Sequence, residues 1–116
     1  MVIIKYPNDP SKFFIKRLIG FPGETVEIRS GKVYIKNGDG EFELNEPYIV
    51  YGKDENFSIT LKDDEYFVMG DNRAGSFDSR IWGPLPRKYI VGHPILRLFP
   101  INKISISPGG LDEKDL

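Results

Sequence analysis

A lysine between large apolar residues is the first feature of this sequence that could do chemistry. Lys16 lies in an apolar run from Phe13 to Ile19, and alternate residues of a β-strand share a face. Lys16 would then lie between Phe14 and Leu18, where desolvation disfavours the ammonium and lowers the pKa of the amine. A neutral amine can accept a proton from a hydroxyl nucleophile. The alternative is a lysine at a strand edge that extends its ammonium into water.

A long loop over residues 69–86 is the second candidate site. Loops of this length in small domains are usually functional or disordered, and Phe77 and Trp82 could anchor this one. Two aspartates and two arginines within ten residues suggest ion pairs, partly buried, that hold the loop in shape. The alternative is an ordinary solvated surface loop. Its charged and hydroxyl residues are Asp71, Arg73, Ser76, Asp78, Ser79 and Arg80.

The composition excludes several other kinds of site. The sequence has no cysteine and one histidine, His93, which excludes disulfides, thiolate zinc sites and cysteine nucleophiles. His93 precedes Pro94 in an apolar run, and we expect it to be structural. The 16 basic and 17 acidic residues argue against a nucleic-acid binder, which normally has a basic excess. No apolar stretch approaches the ~18 residues of a transmembrane helix.

The elements that must position these residues are predicted to be β-strands. Alanine occurs once, glutamine is absent, and β-branched and aromatic residues are common, which favours strands over helices. A hairpin is predicted around Ser30-Gly31, and a tight turn at 20–23 either positions Lys16 or only connects two strands. Residues 41–56 are predicted to be irregular. Strands are predicted at 2–6, 13–19, 25–29, 32–36, 57–61, 66–69, 89–99 and 103–107, in a single domain over 1–110 with a frayed tail at 111–116.

Two motifs of this sequence resemble bacterial type I signal peptidase (leader peptidase). The first is Lys-Arg-Leu-Ile-Gly-Phe-Pro-Gly-Glu at 16–24, and the second is Gly-Asp-Asn-Arg-Ala-Gly-Ser-Phe-Asp-Ser-Arg at 70–80. The segment Leu-Asn-Glu-Pro-Tyr-Ile at 44–49 is also similar to the family. The resemblance runs from about residue 2 to residue 108. It implies a mainly β fold of short antiparallel strands and hairpins, and a membrane-bound serine endopeptidase that uses a Ser/Lys dyad.

The resemblance also implies roles for individual residues. Lys16 matches the general-base lysine, and Ser76 matches the serine whose hydroxyl orients that lysine. The residues that would support the site are Arg17, Gly70, Asp71, Asn72, Arg73, Asp78 and Arg80. The implied substrates are signal peptides of exported preproteins, cleaved on the extracytoplasmic side of the bacterial cytoplasmic membrane. The implied reaction needs no metal or organic cofactor.

The sequence departs from the family pattern in one major respect. The nucleophilic serine of the family precedes the lysine in a Ser-Met-x-Pro-like segment, whereas Ser11 is the one serine before Lys16 and has a different context. We therefore expect a partial catalytic domain, truncated at the N-terminus, that lacks the nucleophile and the membrane anchor and is inactive alone. Glu24 replaces the usual aspartate, a mild departure. The alternatives are another Ser/Lys protease, of the repressor or pilus-maturase type, and a non-catalytic β module that binds extended peptides by strand addition.

Overall fold

The computed structural model describes residues 1–92, which form two antiparallel β-sheets and little helix. A four-residue helix α1 (Ser79–Trp82) and a 3-10 turn (Arg87–Tyr89) complete the described chain. The strands are β1 (Val2–Tyr6), β2 (Asp9–Gly20), β3 (Thr25–Arg29), β4 (Lys32–Asn37), β5 (Gly40–Glu43), β6 (Phe57–Thr60), β7 (Glu65–Met69), β8 (Leu85–Pro86) and β9 (Ile90–Gly92). The mainly β fold predicted from the sequence is confirmed.

The first sheet has the strand order β8-β7-β2-β1-β9, so β2 is its central strand. Lys16 pairs with Val2 of β1, and the next residue, Arg17, pairs with Met69 at the end of β7. Because successive side chains of a strand point to opposite faces, the side chains of Lys16 and Arg17 lie on opposite faces of this sheet. The end of β7 therefore delivers the following loop directly beside the central strand that carries Lys16.

The second sheet has the order β5-β4-β3-β6. Val26 and Ile28 of β3 alternate with polar residues and are buried opposite Ile35 and Val33 of β4, as the period-2 pattern predicts. The hairpin closes at Ser30-Gly31, where both residues have positive φ (50° and 80°), as a type I′ turn requires. The apolar face of this sheet shares one core with residues of the first sheet, namely Ile19, Phe67 and Met69.

The turn after β2 carries the chain from the first sheet to the second. The Glu24 N–H donates to the Phe21 carbonyl at 3.1 Å, and Gly23 between them has φ of 83°. A turn with Pro22 at its second position and positive φ at its third is type II, and glycine adopts that φ without strain. The Glu24 carboxylate accepts the Phe21 N–H at 2.8 Å. This glutamate therefore closes its own turn.

Several boundaries differ from the sequence predictions. Strand β2 begins at Asp9 rather than at residue 13, because Asp9 pairs with Tyr6 of β1 beyond a break in register that follows the Lys5–Phe13 pair. Residues 41–56 were predicted to be irregular, but residues 41–43 belong to the edge strand β5. All four residues of this strand are exposed, so it gives no apolar alternation. The loop predicted over 69–86 contains α1 and β8.

The predicted strand at 89–99 is observed as far as Gly92. His93, the rest of that strand, the strand predicted at 103–107 and the tail at 111–116 lie outside the described residues. The single domain predicted over 1–110 stays a prediction. Across residues 1–92, no helix has the length and apolar character needed to cross a membrane.

Candidate active site

Lys16 lies in the interior of the first sheet and has no solvent exposure. Its Nζ atom is 5.4 Å from the centre of the Phe14 ring, which lies on the same face of β2. Phe14 and Leu18 join an apolar cluster with Val2 and Val68. The predicted apolar surroundings of Lys16 are therefore present, and the alternative of an edge lysine that reaches water is wrong.

Ser76 brings a hydroxyl group to the Lys16 amine. The Lys16 Nζ donates a hydrogen bond to Ser76 Oγ at 3.0 Å, across 60 positions of sequence, and Ser76 is 5% exposed. The Ser76 N–H donates to the Asn72 carbonyl at 2.8 Å, and the Gly75 N–H donates to the Asn72 side chain. Asn72 thus closes the turn that presents Ser76. Lys16 and Ser76, the two residues that the resemblance gives as general base and orienting serine, are in contact.

Asp78 is a buried carboxylate, two positions after Ser76, that forms hydrogen bonds with other residues of the loop. It accepts hydrogen bonds from the backbone N–H groups of Gly70 and Arg80, and two more from the Arg80 guanidinium. Burial raises the pKa of Asp78, but these bonds and the Arg80 charge outweigh burial and hold it below its usual range. Asp78 is also the N-cap of α1. A charged Asp78 therefore ties the start of the loop to its helix.

Arg17 and Asp71 form a second ion pair on the opposite face of β2. The Arg17 Nε and Nη2 atoms donate to the two Asp71 carboxylate oxygens at 2.9 Å each. The guanidinium also lies 3.6 Å from the centre of the Tyr48 ring. The hydrogen bond to Asp71 raises the pKa of Arg17 above its usual value. This planar, bidentate geometry suits arginine and not lysine.

Arg73 pairs with a carboxylate from outside the loop. Its Nε donates to the Gly70 carbonyl at 2.9 Å, and its Nη1 and Nη2 atoms donate to the two oxygens of Glu46. The expectation that the loop's ions pair within the loop is therefore right for Asp78 and Arg80 alone. Asp71 pairs with Arg17 of β2, and Arg73 pairs with Glu46 from the segment between β5 and β6.

Three residues of the site were missed in the sequence, and all lie in the segment between β5 and β6. Glu46 binds Arg73, Glu55 binds Arg80, and the Tyr48 hydroxyl donates to Glu46 at 2.8 Å. Burial and the Glu46 hydrogen bond raise the pKa of Tyr48 to about 12. The one available signal was the family-like segment at 44–49, to which no roles were assigned.

The predicted aromatic anchors of the loop contact the first sheet through Tyr6. The ring of Phe77 lies 5.5 Å from the Tyr6 ring in edge contact, and the Trp82 ring lies 5.8 Å from it. Phe77 directly follows Ser76 and Trp82 ends α1, so both contacts hold this part of the loop against the first sheet. The alternative of a freely solvated loop is wrong.

The arrangement is suited to proton transfer between a buried amine and a nearly buried hydroxyl group. A buried amine with an apolar neighbour and a hydroxyl partner is typical of general-base lysines. Within residues 1–92, no group of three or more metal-ligating side chains could hold a metal ion.

Known proteins are similar to this chain in sequence and in fold. Residues 1–99 match the family model "Signal peptidase, peptidase S26". The chain is 44% identical over 96 residues to "Probable signal peptidase I-1" of Synechocystis, covering 82% of this chain and 47% of that protein. It is 35% identical over 107 residues to "Thylakoidal processing peptidase 1, chloroplastic" of Arabidopsis thaliana, covering 90% of this chain and 31% of that protein.

A solved structure is also similar. The crystal structure of a signal peptidase I from Enterococcus faecalis superposes with a TM-score of 0.67 at 30% identity, covering 78% of this chain and 89% of that one. The chain spans about half the length of the signal peptidases it matches first, 47%, 43% and 50% of them. The match over residues 1–99 shows that the chain belongs to the signal peptidase family, peptidase S26.

Proposed function

We propose that the protein is a serine endopeptidase that removes signal peptides from exported proteins, with Lys16 as its general base. The observation that carries the proposal is the environment of the Lys16 amine on the central strand of the first sheet. This amine is fully buried and forms a hydrogen bond of 3.0 Å with the Ser76 hydroxyl. Burial disfavours the ammonium form, and we expect the pKa of Lys16 to lie well below the value of about 10.4 for a free lysine. Ser76 orients the amine and is not the nucleophile.

The nucleophilic serine is proposed to come from a segment that these 116 residues do not contain. Ser11, the one serine that precedes Lys16, is exposed, and its hydroxyl donates to Asp9 at 2.6 Å. It lies five positions from Lys16 on the same strand, a separation of about 16 Å at about 3.3 Å per residue. Ser11 therefore cannot exchange a proton with the Lys16 amine, and we expect the 116 residues alone not to cleave peptides.

The proposed reaction is acyl transfer in two stages. Neutral Lys16 accepts the proton of the nucleophilic serine as that oxygen attacks the scissile carbonyl carbon, and the carbonyl becomes an oxyanion. The lysine ammonium then donates its proton to the leaving amine as the peptide bond breaks. In the second stage Lys16 takes a proton from water as the water oxygen attacks the acyl-enzyme. The lysine ammonium then returns that proton to the serine oxygen as the ester bond breaks, which releases the signal peptide.

The proposed substrates and location follow from family membership. We propose that the protein acts on preproteins at the extracytoplasmic face of the bacterial cytoplasmic membrane and is held there by a membrane anchor. The charge balance of 16 basic and 17 acidic residues supports a protein substrate rather than a nucleic acid.

The proposal is tested by preprotein cleavage with protein expressed from its complete reading frame in detergent. We expect cleavage at the signal-peptide boundary, read by mass spectrometry of the products, and loss of cleavage in Lys16→Met and Lys16→Arg, since a guanidinium does not act as a base at neutral pH. Lys62→Met is the matched control, because Lys62 is exposed in the turn before β7. Cleavage by the 116 residues alone, or by Lys16→Met, would contradict the proposal.

A further inference from the structure

The segment between β5 and β6 contributes two carboxylates to the loop that presents Ser76. Glu46 receives two hydrogen bonds from Arg73, and the side chains are 7% and 2% exposed. Glu55 receives one from Arg80, and these side chains are 17% and 6% exposed. Both arginines of the loop therefore have a carboxylate partner from a segment outside the loop.

Backbone hydrogen bonds hold the same segment against the turn that precedes Ser76. The Val50 N–H donates to the Asp71 carbonyl at 3.2 Å, and the Ala74 N–H donates to the Tyr51 carbonyl at 3.2 Å. Tyr51 also forms a parallel bridge with Asn72. The segment between β5 and β6 thus binds the turn at Asp71, Asn72 and Ala74.

Arg73 links this segment to the position of Ser76. Its guanidinium spans the turn by donating to the Gly70 carbonyl at 2.9 Å, while its own carbonyl accepts from Arg80 Nη1 at 2.9 Å. Ser76 is fixed to the same turn through Asn72. If Glu46 were replaced by a neutral residue, Arg73 would be a buried cation without a carboxylate partner. The Arg73 guanidinium would then be less stable in its position at the Gly70 carbonyl.

We propose that Glu46 is a positioning residue for the Lys16–Ser76 pair, acting through Arg73 on the turn that presents Ser76. The Glu46 carboxylate accepts hydrogen bonds from Arg73 and from the Tyr48 hydroxyl. Its carboxylate fixes the Arg73 guanidinium, the guanidinium fixes the turn at Gly70, and the turn sets the distance from Ser76 Oγ to the Lys16 amine. The kinetic consequence rests on the proposed function, whereas the structural consequence does not.

The test compares Glu46→Gln with Glu43→Gln, the same change at an exposed position of β5. Protein from the complete reading frame is assayed for cleavage of a signal-peptide substrate. Glu46→Gln should lower kcat by about ten- to a hundredfold, because a displaced catalytic group costs that much, with KM changed by less than about threefold. Adding Arg73→Gln should cost little more, since the two residues act as a unit.

A second readout does not depend on cleavage. In the 116-residue chain, amide hydrogen exchange of Ser76 should accelerate at least about tenfold in Glu46→Gln, with exchange in the β3–β4 hairpin changed by less than about twofold. Equal acceleration in the hairpin would indicate general destabilisation and would overturn the proposal, as would unchanged Ser76 exchange. If the wild-type protein fails to cleave but Ser76 exchange accelerates selectively, the proposed function is wrong and the positioning role stands.

Discussion

Replacing Asp78 by asparagine removes one buried charge with little change of shape. Each oxygen of the wild-type carboxylate accepts two hydrogen bonds, one from a backbone N–H and one from the Arg80 guanidinium. Asparagine presents an amide group, itself a donor, in place of one of those oxygens. Two donors then lose their acceptor in a site where the Asp78 side chain has no exposure.

The size of the effect follows from burial and from what remains. Removing one partner of a buried ion pair costs about 3–5 kcal/mol, and Arg80 keeps its hydrogen bond to Glu55, so we expect about 3 kcal/mol. A small domain has about 5–15 kcal/mol of stability in total. With a urea dependence of about 2 kcal/mol per molar, the unfolding midpoint should fall by about 1.5 M.

Urea unfolding followed by Trp82 fluorescence measures this shift, because Trp82 ends the helix that Asp78 caps. The matched control is Asp54→Asn, an exposed aspartate in the segment before β6, which should change stability by less than about 0.5 kcal/mol. A midpoint for Asp78→Asn equal to that of the control would refute the view that this buried carboxylate holds the loop.

Three further predictions follow from the same site. The pKa of Asp78 is lowered, so its charge stabilises the fold at pH values above about 3.9, the unfolded pKa, and this contribution is lost as the pH falls through the folded pKa. The difference in urea midpoint between wild type and Asp78→Asn should therefore shrink on acidification and not grow. Tyr48→Phe should remove a phenolate absorbance step near pH 12, the value to which burial and Glu46 raise the pKa of Tyr48; an unchanged alkaline titration would contradict this. Ser76→Ala should lower kcat of the complete protein by about ten- to a hundredfold without abolishing cleavage, and a loss as complete as that of Lys16→Met would instead assign Ser76 a direct role.

The sequence was sufficient to predict those parts of the fold that depend on local pattern. Alternation identified the β3–β4 hairpin, and the Ser30-Gly31 pair identified its turn, because positive φ at both positions needs small or flexible residues. Alternation also assigned Phe14 and Lys16 to one face of β2, and the structure shows that both are buried. The edge strand β5 was missed, since its exposed residues are stabilised by backbone pairing with β4 and show no apolar period.

The members of the site in the two motifs were identified from the sequence, whereas Glu46, Tyr48, Glu55 and the ion pairings were not. Spacing indicated that the arginines of the 70–80 loop would be paired, but the choice of partner is a property of the folded chain. Asp71 pairs with Arg17 across the sheet, and Arg73 pairs with Glu46 from a distant segment. Nothing in a single sequence distinguishes these carboxylates from solvated ones, because their burial arises only when the segment between β5 and β6 closes over the loop.

The central claim, that Lys16 can act as a base, is tested most directly by titrating its side-chain amine. In the 116-residue chain, the Cε resonance of Lys16 can be assigned by comparison with Lys16→Met and followed by NMR through alkaline pH. Because the amine is fully buried beside Phe14 and Ser76, we predict a midpoint well below about 10.4, the value for a free lysine. A midpoint at or above that value would contradict the assignment of Lys16 as the general base.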